Sequence, residues 1–173
     1  MQEFKALYEQ YKSMVYNLAI HYLQNLEEAE EVTQDVFVKV YQKRSNFRAE
    51  AAIKTWIYRI TVNQCLDYLR SKKRKQALSK IFFWEKKEHL TINRQHPGYS
   101  LEQQESVQQI LAAIHTLPEQ QKTALMLVKI EGLSMEECAN IMQSSEKAVE
   151  SLLSRAKNNL KNKGLSSKGN PNV

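Results

Sequence analysis

The chain has 173 residues, a net charge of +6 and 42% hydrophobic residues, which is enough for one or two small domains with modest cores. Only four glycines and three prolines occur, and no segment alternates apolar with polar residues, so we predict an all-α fold. The basic charge favours a polyanionic partner. The sequence shows neither a signal peptide nor an apolar run of about 18 residues, so we expect a soluble, cytoplasmic protein without membrane insertion.

The cysteines and histidines argue against a metal or redox site. Cys65 and Cys138 lie far apart in helical patterns, and the four histidines have no metal-ligand spacing with them or with one another. We therefore expect buried free thiols, no metal ion and no cofactor.

The first two predicted helices follow each other closely. Residues 2–23 carry apolar residues at helical spacing, and Gln24 and Asn25 mark a turn. Residues 26–40 then form an acidic helix, in which valines recur at every fourth position and form the packing stripe. On a neighbouring stripe, which we expect to face outward, lie Glu28, Glu31 and Asp35.

The charge reverses steeply along the N-terminal half. Residues 1–38 hold two basic residues against seven acidic ones, whereas residues 39–75 hold eleven basic residues against two acidic ones. Such a reversal indicates two partners of opposite charge that are held side by side. A solvated acidic face would show the same acidic pattern. A metal-dependent nuclease is disfavoured, because the carboxylates all lie on one helix.

A long helix is predicted over residues 53–73, with apolar residues on most of its circumference. Trp56 flanks a narrow polar stripe, which consists of Arg59, Asn63, Asp67, Arg70 and Arg74. Amide and guanidinium groups beside aromatic rings suit the binding of unstacked bases and phosphates. The alternative is that Trp56 and Tyr58 belong to the core and that the arginines are merely solvated.

These residues resemble a known family. The segments 28–37 (EAEEVTQDVF), 46–51 (NFRAEA), 55–60 (TWIYRI) and 66–70 (LDYLR) are similar to the second conserved region of bacterial RNA polymerase sigma factors, and most similar to the extracytoplasmic-function group. The resemblance implies that the acidic helix docks on the clamp helices of the largest polymerase subunit. It also implies that the following loop and the long helix capture the non-template strand of the minus-ten element.

The resemblance assigns these roles to particular residues of this chain. The residues implied to bind core polymerase are Glu28, Glu31, Gln34 and Asp35. The residues implied to bind minus-ten DNA are Asn46, Phe47, Arg48, Trp56, Tyr58, Arg59, Asn63 and Arg70.

A flexible linker is predicted for residues 76–101, where the helical periodicity fails. The apolar cluster at residues 81–84 (IFFW) is unusual in a linker, because exposed apolar groups generally make contacts. It either packs on a domain or contacts polymerase or a regulator.

The C-terminal part shows a helix-turn-helix pattern. A short helix over residues 135–142 begins with a capping box of Ser134 and Glu137, a turn follows, and residues 146–161 are helical again. We expect Ala139 at the helix crossing and Val149 in the core. A helical hairpin for protein contacts would give a similar pattern.

This part is also similar to the same family. The segments 117–121 (LPEQQ), 131–139 (EGLSMEECA), 145–149 (SEKAV) and 153–157 (LSRAK) resemble the fourth conserved region, which implies binding to the minus-thirty-five element. Gln143 stands in place of the family's usual turn glycine, and Glu150 where a basic residue is common. The candidate DNA-binding residues are Ser145, Lys147, Glu150, Ser151, Ser154, Arg155 and Lys157.

The predicted protein is a sigma factor of the extracytoplasmic-function type (group 4 of the sigma-70 family), not an enzyme. It has an N-terminal helical bundle over residues 1–75, the linker, a helix-turn-helix domain over residues 102–163 and a disordered tail over residues 164–173. Its expected partners are core RNA polymerase, promoter DNA and an anti-sigma factor, with no small-molecule substrate. Two alternatives remain open: a helix-turn-helix regulator that binds duplex DNA without polymerase and uses its N-terminal domain to dimerise, and a protein-binding adaptor without a DNA role.

Overall fold

The computed structural model describes residues 2–44, 53–82 and 112–162, with the side chains of the third helix described through residue 77. The regular elements of these residues are all helical. They are α1 (Gln2–Leu23), α2 (Leu26–Lys43), α3 (Ile53–Phe82), α4 (Glu119–Leu125), a π-helix that continues α4 (Met126–Ile130), α5 (Met135–Met142) and α6 (Glu146–Asn162). The chain divides into two compact units, Met1–Ile92 and Asn93–Val173. Within the described ranges, no helix is long and apolar enough to cross a membrane.

The first unit is a bundle in which α1, α2 and α3 all pack on one another. The predicted valine stripe of α2 is confirmed as core, since Val32, Val36 and Val40 are buried. They meet buried residues of the other two helices, which include Val15, Leu18, Tyr22, Ile57, Thr61 and Cys65. The hydroxyl of Thr61 donates to the carbonyl oxygen of Ile57 at 2.8 Å, so burying it leaves no unpaired donor.

The turn between α1 and α2 falls where the sequence predicts it. Gln24 has a left-handed backbone with φ of 54° and ends α1 through a bond from its backbone N–H to the carbonyl of Ile20 at 2.8 Å. Asn25 caps α2, because its side-chain oxygen accepts from the backbone N–H of Glu28 at 3.0 Å.

The third helix is longer than predicted. It continues to Phe82, so its last seven residues occupy the start of the predicted linker. These residues contain no glycine or proline and include good helix formers. The loss of apolar periodicity near residue 76 therefore marks the end of packing, because Gln76 and Ala77 are exposed, and not the end of the helix.

The second unit holds the helix-turn-helix. Val149 is buried, which confirms its predicted core position, and Ala139 is buried as well. The capping box is present: the hydroxyl of Ser134 accepts from the backbone N–H of Glu137 at 3.1 Å, and the carboxylate of Glu137 accepts from the backbone N–H of Ser134 at 2.9 Å. Across the unit, the amide of Asn159 donates to the side-chain oxygen of Gln121 at 2.8 Å.

The turn between α5 and α6 depends on a left-handed residue. Gln143, which stands where the related family usually has glycine, has φ of 52° and ψ of 48°. Its neighbour Ser144 donates its backbone N–H to the carbonyl of Ala139 at 2.9 Å, so the turn closes despite the Cβ. A non-glycine residue in this conformation costs roughly 1–2 kcal/mol of stability. Glycine would avoid this strain, but part of the gain would be lost because the backbone of glycine loses more conformational freedom on folding.

We predict that Gln143→Gly raises the free energy of unfolding of the second unit by about 1 kcal/mol. Urea denaturation followed by circular dichroism measures the change. Gln143→Ala serves as the control, because it removes the side chain and keeps the Cβ. Equal stabilisation by both variants would contradict the backbone explanation.

Candidate protein and nucleic-acid interfaces

The carboxylates of α2 do not all face outward as predicted. Glu28 forms an ion pair with Lys72 of α3, and its side chain is only 17% exposed. Glu31 and Asp35 are exposed, but each also accepts a hydrogen bond from α3. The carboxylates that were expected to face outward therefore make contacts within the fold. They do so because α3 lies antiparallel beside α2 and carries polar groups at matching spacing.

The contacts between the two helices form one row, which we call the polar seam. Its members on α3, Gln64, Tyr68 and Lys72, lie one helical turn apart. The amide of Gln64 donates to Oδ2 of Asp35 at 2.9 Å, and the hydroxyl of Tyr68 approaches Oε2 of Glu31 at 3.4 Å. The full set on α2 is Glu28, Glu31, Asp35 and Lys39, of which Lys39 donates to the amide oxygen of Gln64.

Tyr68 sits in a setting that keeps it protonated. Burial raises the pKa of its phenol to about 12, and the charges of Glu28 and Glu31 and the hydrogen bond to Glu31 act in the same direction. The phenol therefore remains a neutral hydrogen-bond donor at physiological pH.

The predicted polar stripe of α3 lies on the surface. Asn63, Asp67, Arg70 and Arg74 are exposed, and we call them the polar row. Arg70 and Asp67 form an exposed ion pair at 3.4 Å. The polar row thus offers an amide and guanidinium groups to solvent.

The neighbouring candidates on α3 are less accessible. Trp56 and Arg59 are half-buried. Tyr58 is only 4% exposed, so its ring belongs to the core and is not available to stack on a base. The helical repeat places Tyr58 between Cys65 and Leu69 and about 140° from the centre of the polar stripe, so spacing carried the signal for its burial. The candidates Asn46, Phe47 and Arg48 lie outside the described residues.

The two candidate surfaces of the first unit lie on neighbouring helices. On α2, exposed residues form an acidic face that consists of Glu27, Glu30, Glu31, Gln34 and Asp35. On each helix the exposed set lies away from buried residues such as Val36 of α2 and Cys65 of α3. The polar seam joins the two helices that carry these surfaces.

Sequence reasoning missed two features of this region. It named no contact for Gln64 and Tyr68, although these polar residues continue the face of Ile53, Ile57 and Ile60, which was a signal of a polar contact. It also gave no role to Val38, whose side chain is 53% exposed between the acidic residues and the end of α2.

The candidate residues of α6 share one surface. Lys147, Glu150 and Ser151 are exposed, as are Ser154, Arg155 and Lys157, and the helical repeat places all six within an arc of about 160°. Opposite this arc, Val149 and Ala156 are buried. Ser145 precedes the helix, and its hydroxyl accepts from the backbone N–H of Ala148 at 3.2 Å.

These features define an all-α protein with a helix-turn-helix in one unit and, in the other, an acidic face beside a polar row. Two family models match the chain, Sigma-70 region 2 over residues 7–75 and Sigma-70 region 4 over residues 107–160. The chain therefore belongs to the sigma-70 family of RNA polymerase sigma factors, as the sequence predicted.

Similar proteins place it in the extracytoplasmic-function group. The chain is 32% identical over 165 residues to the ECF RNA polymerase sigma-E factor of Haemophilus influenzae, which covers 92% of this chain and 86% of that protein. It is 31% identical over 160 residues to the RNA polymerase sigma-H factor of Pseudomonas aeruginosa, which covers 89% of this chain and 82% of that protein.

Solved structures confirm the all-α fold. The sigma factor RpoE of Bartonella quintana, in complex with the anti-sigma factor NepR, matches with a TM-score of 0.71 at 24% identity, over 97% of this chain and 100% of that one. CnrH, in complex with the cytosolic domain of CnrY, matches with a TM-score of 0.67 at 18% identity, over 95% of this chain and 90% of that one.

The raised pKa of Tyr68 predicts a pH dependence of stability. The folded chain releases this proton near pH 12, whereas an unfolded tyrosine releases it near about pH 10. The contribution is therefore fully present below about pH 10 and is lost as the pH rises towards 12. We expect the urea stability of the first unit to fall more steeply over this range than that of Tyr68→Phe, which lacks the phenol. Glu31→Gln, which removes one of the causes, should fall between them, and equal slopes in the three proteins would contradict the assignment.

Proposed function

We propose that the chain initiates transcription by binding core RNA polymerase, directing it to particular promoters and helping to open the duplex. The observation that carries this proposal is the presence of the acidic face and the polar row on two packed helices of a unit that matches Sigma-70 region 2. An acidic surface and a surface with amide and guanidinium groups in one unit suit a protein that bridges a basic polymerase surface and a nucleic-acid strand.

The acidic face is the proposed polymerase contact. Glu31, Gln34 and Asp35 are exposed there, and Val38 adds an apolar group one turn beyond Gln34. An apolar side chain beside charged groups is the arrangement expected of an interface with a desolvated centre and a polar rim. Glu28 is left out of this contact because its carboxylate is paired within the fold.

The polar row is the proposed strand contact. Asn63 offers an amide for hydrogen bonds to a base, while Arg70 and the half-buried Arg59 offer guanidinium groups to phosphates. The half-buried Trp56 supplies the aromatic surface on which a base can stack. Asn46, Phe47 and Arg48 remain predicted contacts, and Tyr58 is omitted because it is buried.

The exposed arc of α6 is the proposed contact with the minus-thirty-five element. Lys147, Arg155 and Lys157 suit phosphates or guanine edges, while the hydroxyls of Ser151 and Ser154 suit several bases. Ser145 acts first as a helix cap, and its backbone N–H lies at the helix start, where a phosphate is favoured.

A regulator that acts without polymerase explains the molecule less well. It would use α6 in the same way, but it would leave the acidic face and the match of residues 7–75 to Sigma-70 region 2 without a role. We propose a non-enzymatic factor that works in the cytoplasm, where the polymerase is. We also propose regulation by an anti-sigma factor, the class of partner with which RpoE of Bartonella quintana was solved.

Run-off transcription with purified core polymerase tests the function. We expect promoter-dependent transcripts only when the chain is added. Glu31→Lys combined with Asp35→Lys should weaken polymerase binding by more than about 2 kcal/mol, because like charges would meet across the interface. Affinity is measured by fluorescence anisotropy of the labelled chain.

A matched variant controls for net charge. Glu3→Lys combined with Glu136→Lys reverses two exposed carboxylates that are not members of the acidic face and should leave the affinity unchanged. Equal weakening by both double variants, or normal binding by the first, would show that the acidic face is a solvated surface without a partner.

Glu150 tests how α6 reads DNA. It lies exposed near the start of the helix, where a carboxylate is favoured by the helix dipole and can accept from cytosine N4, although it repels phosphates. If it reads a base, Glu150→Lys changes which minus-thirty-five sequence the holoenzyme selects from a randomised promoter pool.

The opposite result has its own signature. If Glu150 is only a charge near the backbone, the variant binds all sequences more tightly and the salt dependence steepens by about one unit of slope. We predict the changed sequence preference. An unchanged preference at two salt concentrations would exclude Glu150 from base reading.

A further inference from the structure

Glu28 is less exposed to solvent than the other carboxylates of α2. Its side chain is 17% exposed and that of its partner Lys72 is 32% exposed. By contrast, Glu31 and Asp35 remain exposed while they accept hydrogen bonds. The second carboxylate oxygen of Glu28 is buried, and within the described residues it has no hydrogen-bond partner. Little of this carboxylate is therefore available to a partner protein.

The Glu28–Lys72 pair lies at one end of the polar seam. Lys39 and Gln64 close the seam at one end, and Glu28 and Lys72 close it at the other. Glu28 and Lys39 lie eleven positions apart on α2, a rise of about 16 Å along the helix. Two fixed points so far apart prevent one helix from rotating or sliding against the other, which a single contact would permit.

We infer that Glu28 and Lys72 form a positioning pair, which holds the acidic face and the polar row in one register and contacts neither polymerase nor DNA. The inference rests on the proposed function, because the register matters only if both surfaces are occupied at once. It also gives Lys72 a role distinct from that of its basic neighbours Lys73 and Arg74, which are exposed and free to meet phosphates.

A charge swap tests the pair. Glu28→Lys and Lys72→Glu each place like charges together, whereas the double swap restores opposite charges with exchanged positions. Open-complex formation by the holoenzyme is followed with a fluorescent base analogue in the non-template strand. We expect each single variant to lower the opening rate by about fivefold or more, and the double swap to recover most of that loss.

Direct contacts would give a different result. If Glu28 bound polymerase or Lys72 bound a phosphate, each reversal would harm its own interface and the two losses would multiply in the double swap. That multiplied loss overturns the inference, as does normal opening by both single variants. Lys72→Arg, which keeps the charge, should open promoters like the wild-type chain.

An exposed pair elsewhere in the same unit is the matched control. Lys12 and Glu9 form an ion pair at 2.5 Å on α1, with side chains 43% and 53% exposed. Swapping these two charges, singly or together, should not change the opening rate.

A second measurement separates this inference from the proposed function. Urea unfolding of the free chain, with the same four proteins, reports the Glu28–Lys72 coupling without polymerase. If the wild-type chain showed this coupling but did not support transcription, the proposed function would fail while the pairing stood. If transcription were normal and the free chain showed no coupling, the positioning pair would be wrong and the proposed function would stand.

Discussion

The antiparallel contact between α2 and α3 is the constraint on which the first unit depends. Two kinds of interaction share it. Each buried valine of α2 contributes roughly 1.5–3 kcal/mol through burial, whereas an exposed or half-exposed polar pair contributes only about 0–1 kcal/mol. The valines therefore hold the helices together. An apolar stripe tolerates small shifts, however, and the polar seam does not, because its hydrogen bonds need fixed distances and angles. The seam thus selects one register among several that the core would accept.

That register fixes two helices that carry surfaces with opposite requirements. The acidic face lies on α2 and the polar row lies on α3, each away from the core. Placing both surfaces on packed helices gives them a rigid support. The sharp change of charge near residue 39 falls within α2, whose last turns carry Lys39 and Lys43, and α3 continues the basic charge.

Helices with strong local signals could be predicted closely. The turn at Gln24 and Asn25, the capping box at Ser134 and the valine stripe of α2 act within a few residues, so sequence spacing contains the necessary information. The polar seam was not predicted, because spacing gives the direction of Glu28 on its helix but not the neighbour that lies there. Tyr58 differs, because its position between Cys65 and Leu69 on the helix already indicated burial. The end of α3 was misplaced because packing and helicity stop at different residues.

The π-helix Met126–Ile130 has a consequence for changes in chain length. The backbone N–H of Glu131 bonds to the carbonyl of Met126, five residues back, at 2.9 Å, whereas an α-helix bonds four residues back. This turn therefore contains one residue more than a regular helix needs. A deletion of one residue here would let the helix close in its ordinary form and leave Gly132 and the capping box in place. Among the described helices of the second unit, this turn is therefore where the loss of one residue would disturb the hydrogen-bond ladder least, directly before the helix-turn-helix.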